Sequence, residues 1–428
     1  MKLNVLLLGS GGREHTMAWK INKSPLLGSL FIAPGNPGTG QAGKNVNLPL
    51  DDFAAIDKFI RENDIDLTVV GPEKPLVEGI TDFLEKKGHK VFGPSKAAAQ
   101  LEGSKKFAND FMKENFIPTA DYQIFQKGAF EEAYQYIIEK DSYPVVLKAD
   151  GLAGGKGVFI CESPEEAEKS LNELRENEKL SSAAESLVVE EFLEGEEASV
   201  FVITDGQSAK VIHNAQDHKR VGEGDTGLNT GGMGAYCPAP IMSEKMMRRV
   251  EKEIILPTIS AMLLDDNPYK GILYCGLMIT ASGPKVVEYN CRFGDPECQV
   301  ILPALQSDWL DLMWAAVNGE LDDKEITADS QYHCCVVLTS GGYPKEYEKG
   351  KVISGIDEVS GDALIFHAGT AQKNSQSFTD GGRVLNVVCS GATLDEAIQN
   401  TYHEVEKISF DGMYYRKDIG AKGLKHLE

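Results

Sequence analysis

The sequence lacks the features that would place the protein in a membrane, outside the cell or on nucleic acid. No apolar run approaches the roughly 18 residues of a membrane-spanning helix. The apolar run near the N-terminus, at 5–8, is too short for a signal peptide. Basic residues are few, 43 against 65 acidic ones, and the net charge of −22 repels nucleic acid and anionic membrane surfaces. We therefore expect a cytoplasmic protein with neither nucleic-acid nor membrane partners.

The common signatures of zinc sites, disulfide frameworks and nucleophilic catalysis are also absent from the sequence. The eight cysteines form no C-x-x-C pair, the histidines form no H-E-x-x-H motif, and there is no G-x-S-x-G elbow. We interpret the cysteines as reduced and mostly buried. The apolar fraction of 42% and the charged fraction of 25% are those of an average soluble globular protein. A length of 428 residues predicts two to four domains.

The first hundred residues alternate between strand and helix patterns as in a parallel α/β domain. The predicted order is strand 3–8, helix 13–21, strand 29–33, helix 52–63, strand 66–71 and helix 75–88. A break follows near 93–104.

The middle of the chain is predicted to hold a small α+β lid. Residues 104 to about 140 are expected to be helical. Three strands around a charged helix then follow in the order strand 144–149, strand 157–161, helix 163–179 and strand 187–193. Strands return at 197–213, and residues 214–236, with six glycines, predict a long functional loop.

The remaining pattern predicts a long amphipathic helix at 243–264, a hairpin at 272–292 and a last strand-rich region that begins at 332–340. We therefore divide the chain into three predicted domains. They are an N-terminal α/β domain at 1–102, a central domain at 103–326 with a lid at about 120–192, and a C-terminal α+β domain at 330–428.

The segment "GSGGREH" at 9–15 joins a predicted strand to a helix, where backbone amides and the helix N-terminus can bind a phosphate. It fails as a dinucleotide fingerprint because Glu14 stands where the last glycine of G-x-G-x-x-G belongs. The second strand ends in Ala33 and Pro34, with no acid for a ribose hydroxyl. A hydride-transfer enzyme is therefore not indicated, although the glycines alone are also explained by a tight turn.

The stretch "KADGLAGGKG" at 148–157 carries two lysines and four glycines. It fails as a Walker A loop because Asp150 and Gly157 stand where glycine and Ser or Thr are required. A buried strand that ends in Lys148, followed by a pliable loop with Lys156, can nevertheless close over a triphosphate. Alone, the stretch is equally compatible with a solvated surface turn.

The segment "VVEEFLEGEEASV" is compatible with a hinge whose backbone, at 190–193, reads an adenine edge, while Glu197 reaches ribose hydroxyls. By itself, the segment is also explained as a solvated acidic face. In "VVEYNCRFGDPE", Glu288, Asn290 and Arg292 share one strand face because side chains alternate. A carboxylate with an amide oxygen suits Mg²⁺, which takes one or two protein ligands plus substrate phosphates.

An arginine beside such a metal pair can clamp a phosphoryl group or a carboxylate. The alternative for this strand is an edge position with an ordinary salt bridge. Taken together, the candidate residues indicate electrostatic catalysis of phosphoryl transfer rather than an enzymic nucleophile.

The order and spacing of these segments resemble the ATP-grasp superfamily. Longer strings resemble the phosphoribosylamine glycine ligase family over essentially the whole chain. They are "GSGGREH", "GNPG", "VGPEKPLVEGI", "KADGLAGGKGV", "QDHKRVGEGDTGLNTGGMGAY", "EYNCRFGDPE", "GYP", "FHAGT", "GGRVLNVV" and "YYRKDIG".

The resemblance implies an ATP-grasp fold with an N-terminal Rossmann-like parallel domain, a mobile lid and a C-terminal α+β domain. It implies that ATP activates glycine as glycyl phosphate, and that 5-phosphoribosylamine displaces phosphate to give glycinamide ribonucleotide in purine biosynthesis. The implied partners are these small molecules, with Mg²⁺ or Mn²⁺, and we expect a stand-alone, monomeric enzyme.

Site residues follow from the resemblance position by position. ATP would be bound by Lys105, Lys148, Gly151, Gly154, Gly155, Lys156, Gly157, Glu190, Glu191, Leu193 and Glu197. Glu288 and Asn290 would bind the metal. The other substrates would be bound by Gly11, Gly12, Arg13, Glu14, Pro72, Glu73, Asp217, Lys219, Arg220, Arg292 and Asp295. Among these, Arg292, Lys148 and Asp295 would be catalytic, with Arg292 at the phosphoryl group and glycine carboxylate and Asp295 at the glycine amine.

Three positions depart from the family pattern: Gly154 for alanine, Leu228 for proline and Cys298 for threonine. Gly154 would make the lid loop more flexible, so that ordering the loop would cost roughly 0.5 to 1 kcal/mol more than with alanine. Cys298 would place a thiol near the metal. Two alternatives stay open. A sister carboxylate ligase of the purine or biotin carboxylase type would share Glu288, Asn290 and Arg292 but not "TGGMGAY" or "YYRKDIG". A non-catalytic nucleotide sensor would bind ATP without turnover.

Overall fold

The computed structural model describes residues 2–151, 157–176 and 186–428. Its N-terminal part is a five-stranded parallel sheet with the order β3-β2-β1-β4-β5. Strand β1 carries a continuous apolar run that is buried on both faces, as parallel sheets covered by helices require. The strands are β1 (Leu3–Gly9), β2 (Leu27–Pro34), β3 (Lys44–Asn45), β4 (Leu67–Val70) and β5 (Val91–Phe92).

The helices of this part follow the predicted order with two differences, one of which is the short helix α2 (Thr39–Ala42), which was not predicted. The predicted helix at 75–88 is two helices, because Gly79 adopts a φ of +97° that ends the first one. The helices are α1 (Gly12–Ile21), α2 (Thr39–Ala42), α3 (Phe53–Glu62), α4 (Glu73–Glu78) and α5 (Ile80–Glu85).

The prediction that residues 104 to about 140 are helical is wrong in part. Helix α7 ends before Phe116, which has a φ of +56°, and Pro118 cannot continue the helix. Strand β6 follows and pairs with a strand about sixty residues further on, which local periodicity does not reveal. The elements are α6 (Gln100–Gly103), α7 (Lys105–Glu114), β6 (Tyr122–Gln126) and α8 (Phe130–Lys140).

A four-stranded antiparallel sheet, β6-β9-β7-β8, forms the small subdomain that the sequence predicts as a lid. It has a hydrophobic core of its own, in which Ile137, Leu147 and Leu171 are buried together. The remaining elements are β7 (Val145–Ala149), β8 (Val158–Cys161), α9 (Pro164–Glu176) and β9 (Ser186–Glu191).

The largest sheet is antiparallel and has eight strands in the order β16-β15-β10-β11-β14-β17-β21-β18. Strands β14 and β17 pair through Gly234 and Val336, so the C-terminal strands extend the central sheet. The strands are β10 (Glu196–Asp205), β11 (Ala209–Asp217), β14 (Gly234–Cys237), β15 (Lys270–Thr280), β16 (Gly283–Asn290), β17 (Tyr332–Thr339), β18 (Leu364–His367) and β21 (Arg383–Gly391).

Residues 214–236, predicted as one long loop, contain strand structure at both ends and a hairpin between them. The hairpin pairs β12 (Arg220–Gly222) with β13 (Thr226–Asn229), and its turn contains a short 3₁₀ segment. The glycines at 224 and 227 have positive φ and allow this turn. A second small hairpin, β19 (Thr370–Lys373) with β20 (Gln376–Thr379), lies near the C-terminal strands.

The predicted helix at 243–264 is continuous but contains a π turn at Glu251–Ile255. It and the other helices of this region are α10 (Glu244–Val250), α11 (Leu256–Leu264), α12 (Cys298–Ala304), α13 (Trp309–Asn318), α14 (Leu394–Val405) and α15 (Ala421–Lys425).

The parallel domain shares its apolar cores with the eight-stranded sheet. Phe92 of β5 packs edge-on against Trp309 at 5.7 Å between ring centroids, and Phe293 lies 5.4 Å from the same indole. The lid core is separate from these clusters. Within the described ranges, no helix is both long and apolar enough to cross a bilayer.

Three buried histidines make the stability of the fold depend on pH. His15 Nδ1 accepts the backbone N–H of His367 at 2.8 Å. Burial lowers the pKa of His15 and His218 to about 3 and that of His367 to about 4. Neutral imidazole is therefore the folded form, whereas the unfolded chain binds protons below a pKa of about 6.5.

We expect these three histidines to leave the free energy of unfolding unchanged above about pH 6.5 and to lower it below that pH. Each of these histidines would contribute a loss of about 1.4 kcal/mol per pH unit until its folded pKa is reached. Urea denaturation between pH 5 and 8 measures this slope. His367→Gln should reduce the slope, and the exposed His403→Gln should not. An unchanged slope in His367→Gln would contradict the expectation.

Candidate active site

Strand β16 presents the predicted metal ligands at the edge of the eight-stranded sheet. Glu288 is exposed although its neighbour Tyr289 is buried, and the Asn290 amide nitrogen donates to Glu288 Oε1 at 3.4 Å. The two side chains therefore share one face, as their spacing predicts. Neighbouring protein groups displace part of the water around the Glu288 carboxylate and disfavour its charge, but Lys219, Lys148 and Lys105 outweigh this effect and lower the pKa of Glu288. The carboxylate stays ionised, as a metal ligand must.

A β-bulge in β16 supplies a hydrogen-bond acceptor to Lys148. The register with β15 pairs Gly276 with Glu288 and Leu277 with Val286, so Val287 is the additional residue. The Val287 carbonyl accepts a hydrogen bond from Lys148 Nζ at 3.1 Å. The bulge thus joins the end of lid strand β7 to β16, which carries the predicted metal ligands.

Lys148 is also paired with Glu190 on the neighbouring lid strand. Lys148 Nζ lies 2.7 Å from Glu190 Oε2, and both side chains are nearly inaccessible. Asn109 of α7 donates to the other Glu190 oxygen at 3.0 Å. The Glu190 side chain therefore orients Lys148. Sequence reasoning missed Asn109, because an asparagine in an amphipathic helix gives no signal of its own.

Lys105 lies at the root of the glycine loop. Its Nζ donates to the Gly151 carbonyl at 2.9 Å. Burial lowers the pKa of Lys105, and Glu288 partly opposes this effect. At the other end of the loop, the Gly157 carbonyl accepts from Ala149 N at 2.8 Å. The predicted Gly154, Gly155 and Lys156 lie outside the described residues.

Asp150 fixes this root to the start of α7 and to the lid. Its carboxylate accepts from Ser186 Oγ at 2.8 Å and from Ser104 Oγ at 3.3 Å, and Ser104 is the N-cap of α7. The start of α7, which holds Lys105, and the end of β7, which holds Lys148, are thereby tied together.

The remaining predicted adenine and ribose residues lie along the connection from β9 to β10. The Glu191 carboxylate accepts from Lys285 Nζ at 2.8 Å and from the Asp121 backbone at 3.1 Å, so its side chain is held by lid and sheet. Leu193 is half-buried. Glu197 of β10 forms an ion pair with Lys219.

Asp217 is a second acidic neighbour of Lys219, and Lys219 also lies near Glu288. Burial raises the pKa of Asp217 to about 7, although Lys219 lies 4.0 Å away and opposes the shift. Burial alone would lower the pKa of Lys219, but Asp217 and Glu197 outweigh it and raise the value. The structure does not bring Arg220 to this cluster, because its guanidinium donates to the Gly227 carbonyl within the hairpin at 2.8 Å.

The "GSGGREH" turn is occupied by its own glutamate. Glu14 accepts the Gly11 N–H at 2.6 Å and Arg13 Nε at 2.7 Å, and it is 2% exposed. The first amide of the turn is therefore already bound to a carboxylate. Arg13 also donates to the Phe293 carbonyl at 3.1 Å, which ties the turn to the chain after β16. At Gly12, an added Cβ would meet the side chains of Gln299 and Asn386.

Arg292, Asp295 and Glu73 converge beside Arg13. Glu73, which follows Pro72 at the N-cap of α4, lies 3.2 Å from Arg292 Nε. The Asp295 carboxylate accepts from Gln299 at 2.7 Å. Burial favours its neutral form, but Arg383 and Arg13 outweigh this and hold the pKa of Asp295 below its usual value.

Three residues of this region were missed by sequence reasoning: Glu102, Gln299 and Arg383. Arg383 lies 3.4 Å from Asp295 Oδ1 and comes from the C-terminal strand β21. Glu102 lies 2.7 Å from Arg292 Nη2. Arg383 lies in the quoted segment "GGRVLNVV" and Glu102 lies in the predicted break near 93–104, but nothing local assigns either residue a partner. Of the unusual positions, Leu228 is 48% exposed, and the buried Cys298 thiol contacts the Arg13 carbonyl at 3.8 Å.

Comparison with known families covers nearly the whole chain. Three domain models of phosphoribosylglycinamide synthetase match: the N domain at 3–102, the ATP-grasp (A) domain at 103–298 and the C domain at 333–422. The chain is 50% identical to a phosphoribosylamine-glycine ligase of Mesorhizobium japonicum over 423 residues, covering 99% of both chains. It is 47% identical to the enzyme of that name from Vibrio vulnificus over 426 residues, also covering 99% of both.

Solved structures agree with this assignment. A crystal structure of phosphoribosylamine-glycine ligase from Thermotoga maritima matches with a TM-score of 0.84 and 34% identity, covering 97% of this chain and all of that one. A biotin carboxylase from Campylobacter jejuni matches with a TM-score of 0.74 at 15% identity, covering 98% and 94%, which shows a shared fold. Since the three domain models cover most of the chain and the relatives align over nearly all of it, the chain belongs to the phosphoribosylglycinamide synthetase family.

Proposed function

We propose that this protein ligates glycine to 5-phosphoribosylamine with ATP, giving glycinamide ribonucleotide, ADP and phosphate through a glycyl phosphate intermediate in purine biosynthesis. One observation carries the proposal. Glu288 is an exposed, ionised carboxylate beside Asn290, and Lys105, Lys148 and Lys219 surround it. This arrangement neutralises phosphate charge and offers no enzymic nucleophile, which suits an acyl phosphate and an amine.

The donor set fits a hard divalent cation. Glu288 and Asn290 supply carboxylate and amide oxygens, and no cluster of three acidic, histidine or cysteine ligands occurs in the described part of the chain. A site with two protein ligands suits Mg²⁺ or Mn²⁺ completed by substrate phosphates. When bound, such a cation would neutralise charge on the transferred phosphoryl group.

The residues around the metal strand suit ATP. Lys148 is fixed by the Val287 carbonyl and by Glu190, which Asn109 holds in turn, so its charge is held in one place before a phosphate arrives. The loop rooted between Gly151 and Gly157 would cover the phosphates. The adenine would lie along 190–193, and Glu197 would reach the ribose.

The other substrates would lie on the opposite side of Arg292. The ionised Asp295 would hold the glycine ammonium, since its carboxylate also has a fixed orientation from Gln299. Arg13 and the turn around Gly11 and Gly12 would line the phosphoribosyl group, with Glu73 at its edge. We further propose that the chain acts as a cytoplasmic monomer with domains at 1–102, 103–326 and 330–428, in which the lid at about 120–192 moves as a unit.

Coupled measurement of ADP release tests the proposal. The protein is supplied with Mg²⁺, ATP, glycine and phosphoribosylamine formed in situ from ribose 5-phosphate and ammonia, and each component is omitted in turn. Turnover should require all of them, and mass spectrometry should detect glycinamide ribonucleotide. ADP release with bicarbonate or another carboxylate in place of glycine would instead assign a sister ligase. Binding of ATP without any ADP release would assign a sensor.

A further inference from the structure

Arg292 follows the metal strand and is held by acidic groups from outside that strand. Its Nη2 lies 2.7 Å from Glu102 Oε1, and its Nε lies 3.2 Å from Glu73 Oε2. Its Nη1 donates to the Phe293 carbonyl at 3.2 Å. The Arg292 side chain is 18% exposed, and that of Glu102 is 8% exposed. The guanidinium is therefore fixed before any substrate binds.

Counting the N–H donors of Arg292 shows which of them are left to bind a substrate. A guanidinium has five N–H groups, one on Nε and two on each terminal nitrogen. Glu73, Glu102 and Phe293 use one N–H on each nitrogen. One N–H on Nη1 and one on Nη2 have no acceptor within the part of the chain that the structure describes. When both N–H groups lie on the edge opposite Nε, such a pair forms the fork that binds a carboxylate through two parallel hydrogen bonds.

Glu102 has a second contact that sets it apart from Glu73. Its Oε2 accepts the backbone N–H of Cys291 at 2.7 Å. One carboxylate therefore holds both the guanidinium of Arg292 and the backbone immediately before it, directly after the metal ligand Asn290. Glu102 is also the last residue of the N-domain match, in α6, which packs against α4 and β16. It joins the parallel domain to the end of the metal strand.

We propose that Glu102 is a positioning residue that holds Arg292 with its free N–H fork oriented for the carboxylate of the amino acid substrate. The inference rests on the proposed function, because the carboxylate in question is that of glycine. Glu102 acts through Arg292, whereas Glu73 is 32% exposed and bonds only to the side chain. Loss of the Glu102 charge would free Arg292 to turn toward Glu73 and misdirect the fork.

The test is a double-mutant cycle in steady-state kinetics with Glu102→Gln, Arg292→Met and the double variant. Glu102→Gln keeps an oxygen for the Cys291 N–H but removes the charge that holds the guanidinium. We expect the KM for glycine to rise at least about tenfold and the KM for ATP to change by less than about twofold. In the Arg292→Met background, Glu102→Gln should change the glycine KM by less than about twofold, since the residue through which it acts is gone.

The control is Glu78→Gln, which removes an exposed carboxylate 3.7 Å from Lys74 on α4 and should leave both KM values unchanged. If the fold-increases in the glycine KM of the two single variants multiply in the double variant, or if the KM for ATP rises equally, Glu102 has a general structural role and the inference is overturned.

If Glu102→Gln does not fold, as judged by thermal unfolding, Glu102→Asp takes its place in the cycle. If the wild type does not use glycine, the proposed function fails. A crystal structure of Glu102→Gln then decides the positioning role, since an unmoved Arg292 would refute it.

Discussion

Replacing Glu288 by glutamine should abolish metal-dependent turnover, with a fall in kcat of at least about 100-fold. Loss of groups that merely orient metal ligands commonly lowers metal affinity or activity 10- to 100-fold, and Glu288 would be a ligand itself. The variant removes the carboxylate charge on β16 that faces Lys105, Lys148 and Lys219. ADP release at saturating ATP and glycine, measured across a Mg²⁺ titration, gives the effect.

Binding of Mn²⁺, followed by electron paramagnetic resonance in the presence of ADP, separates the metal from the chemistry. Glu288→Gln should weaken Mn²⁺ binding, whereas Glu251→Gln, an exposed carboxylate in the π turn, should not. Full Mn²⁺ binding by Glu288→Gln together with lost turnover would assign Glu288 a role other than metal ligation.

Lys148→Met should both unfold more easily and bind ATP more weakly. It leaves the Glu190 carboxylate buried with Asn109 as its remaining partner. Removing one partner of a buried ion pair costs about 3 to 5 kcal/mol in the free energy of unfolding. The ATP phosphates would lose a fixed cation at the same time, and the ATP dissociation constant should rise. Urea denaturation and isothermal titration calorimetry measure the two effects.

The two effects of this variant can be separated. Lys148→Met with Glu190→Gln removes the unpaired charge and should regain most of the stability without regaining ATP affinity. Lys285→Met is the matched control, because Lys285 pairs with the adjacent Glu191 at 2.8 Å but the pair is 29% and 40% exposed. Its stability should change by less than about 1 kcal/mol. Recovery of ATP binding in the double variant would show that Lys148 acts only through folding.

Much of the fold was readable from local patterns. The alternating segments of the first hundred residues became the parallel sheet with its helices, and the period-two spacing of Glu288 and Asn290 placed both on one face of β16. The prediction of helix from 104 to about 140 was wrong because β6 forms by pairing with β9, across the whole lid. The hairpin at 220–229 was missed because its glycine-rich segment has little apolar periodicity.

The candidate site likewise contains residues that the sequence indicated and residues that only the structure revealed. Sequence pattern indicated Lys148 and Arg292, and the family resemblance added Lys105 and Asp295. The structure places Lys105 and Lys148 near Glu288, and Arg292 and Asp295 near Arg13. Neither the pattern nor the resemblance pointed to Glu102 or Arg383, whose partners lie 190 and 88 positions away in the chain. Local spacing constrains which residues share a face, but it does not constrain which distant element covers that face.

The sequence by itself determined the family of this protein, the alternation of its first domain and the carboxylate-amide pair of its metal strand, because these depend on residue order and short-range periodicity. Only the tertiary structure decided that the C-terminal strands continue the central sheet, that Lys148 donates to the carbonyl of the bulge residue Val287, and that Arg292 pairs with Glu102. Those contacts depend on long-range packing and on the charges that burial brings together.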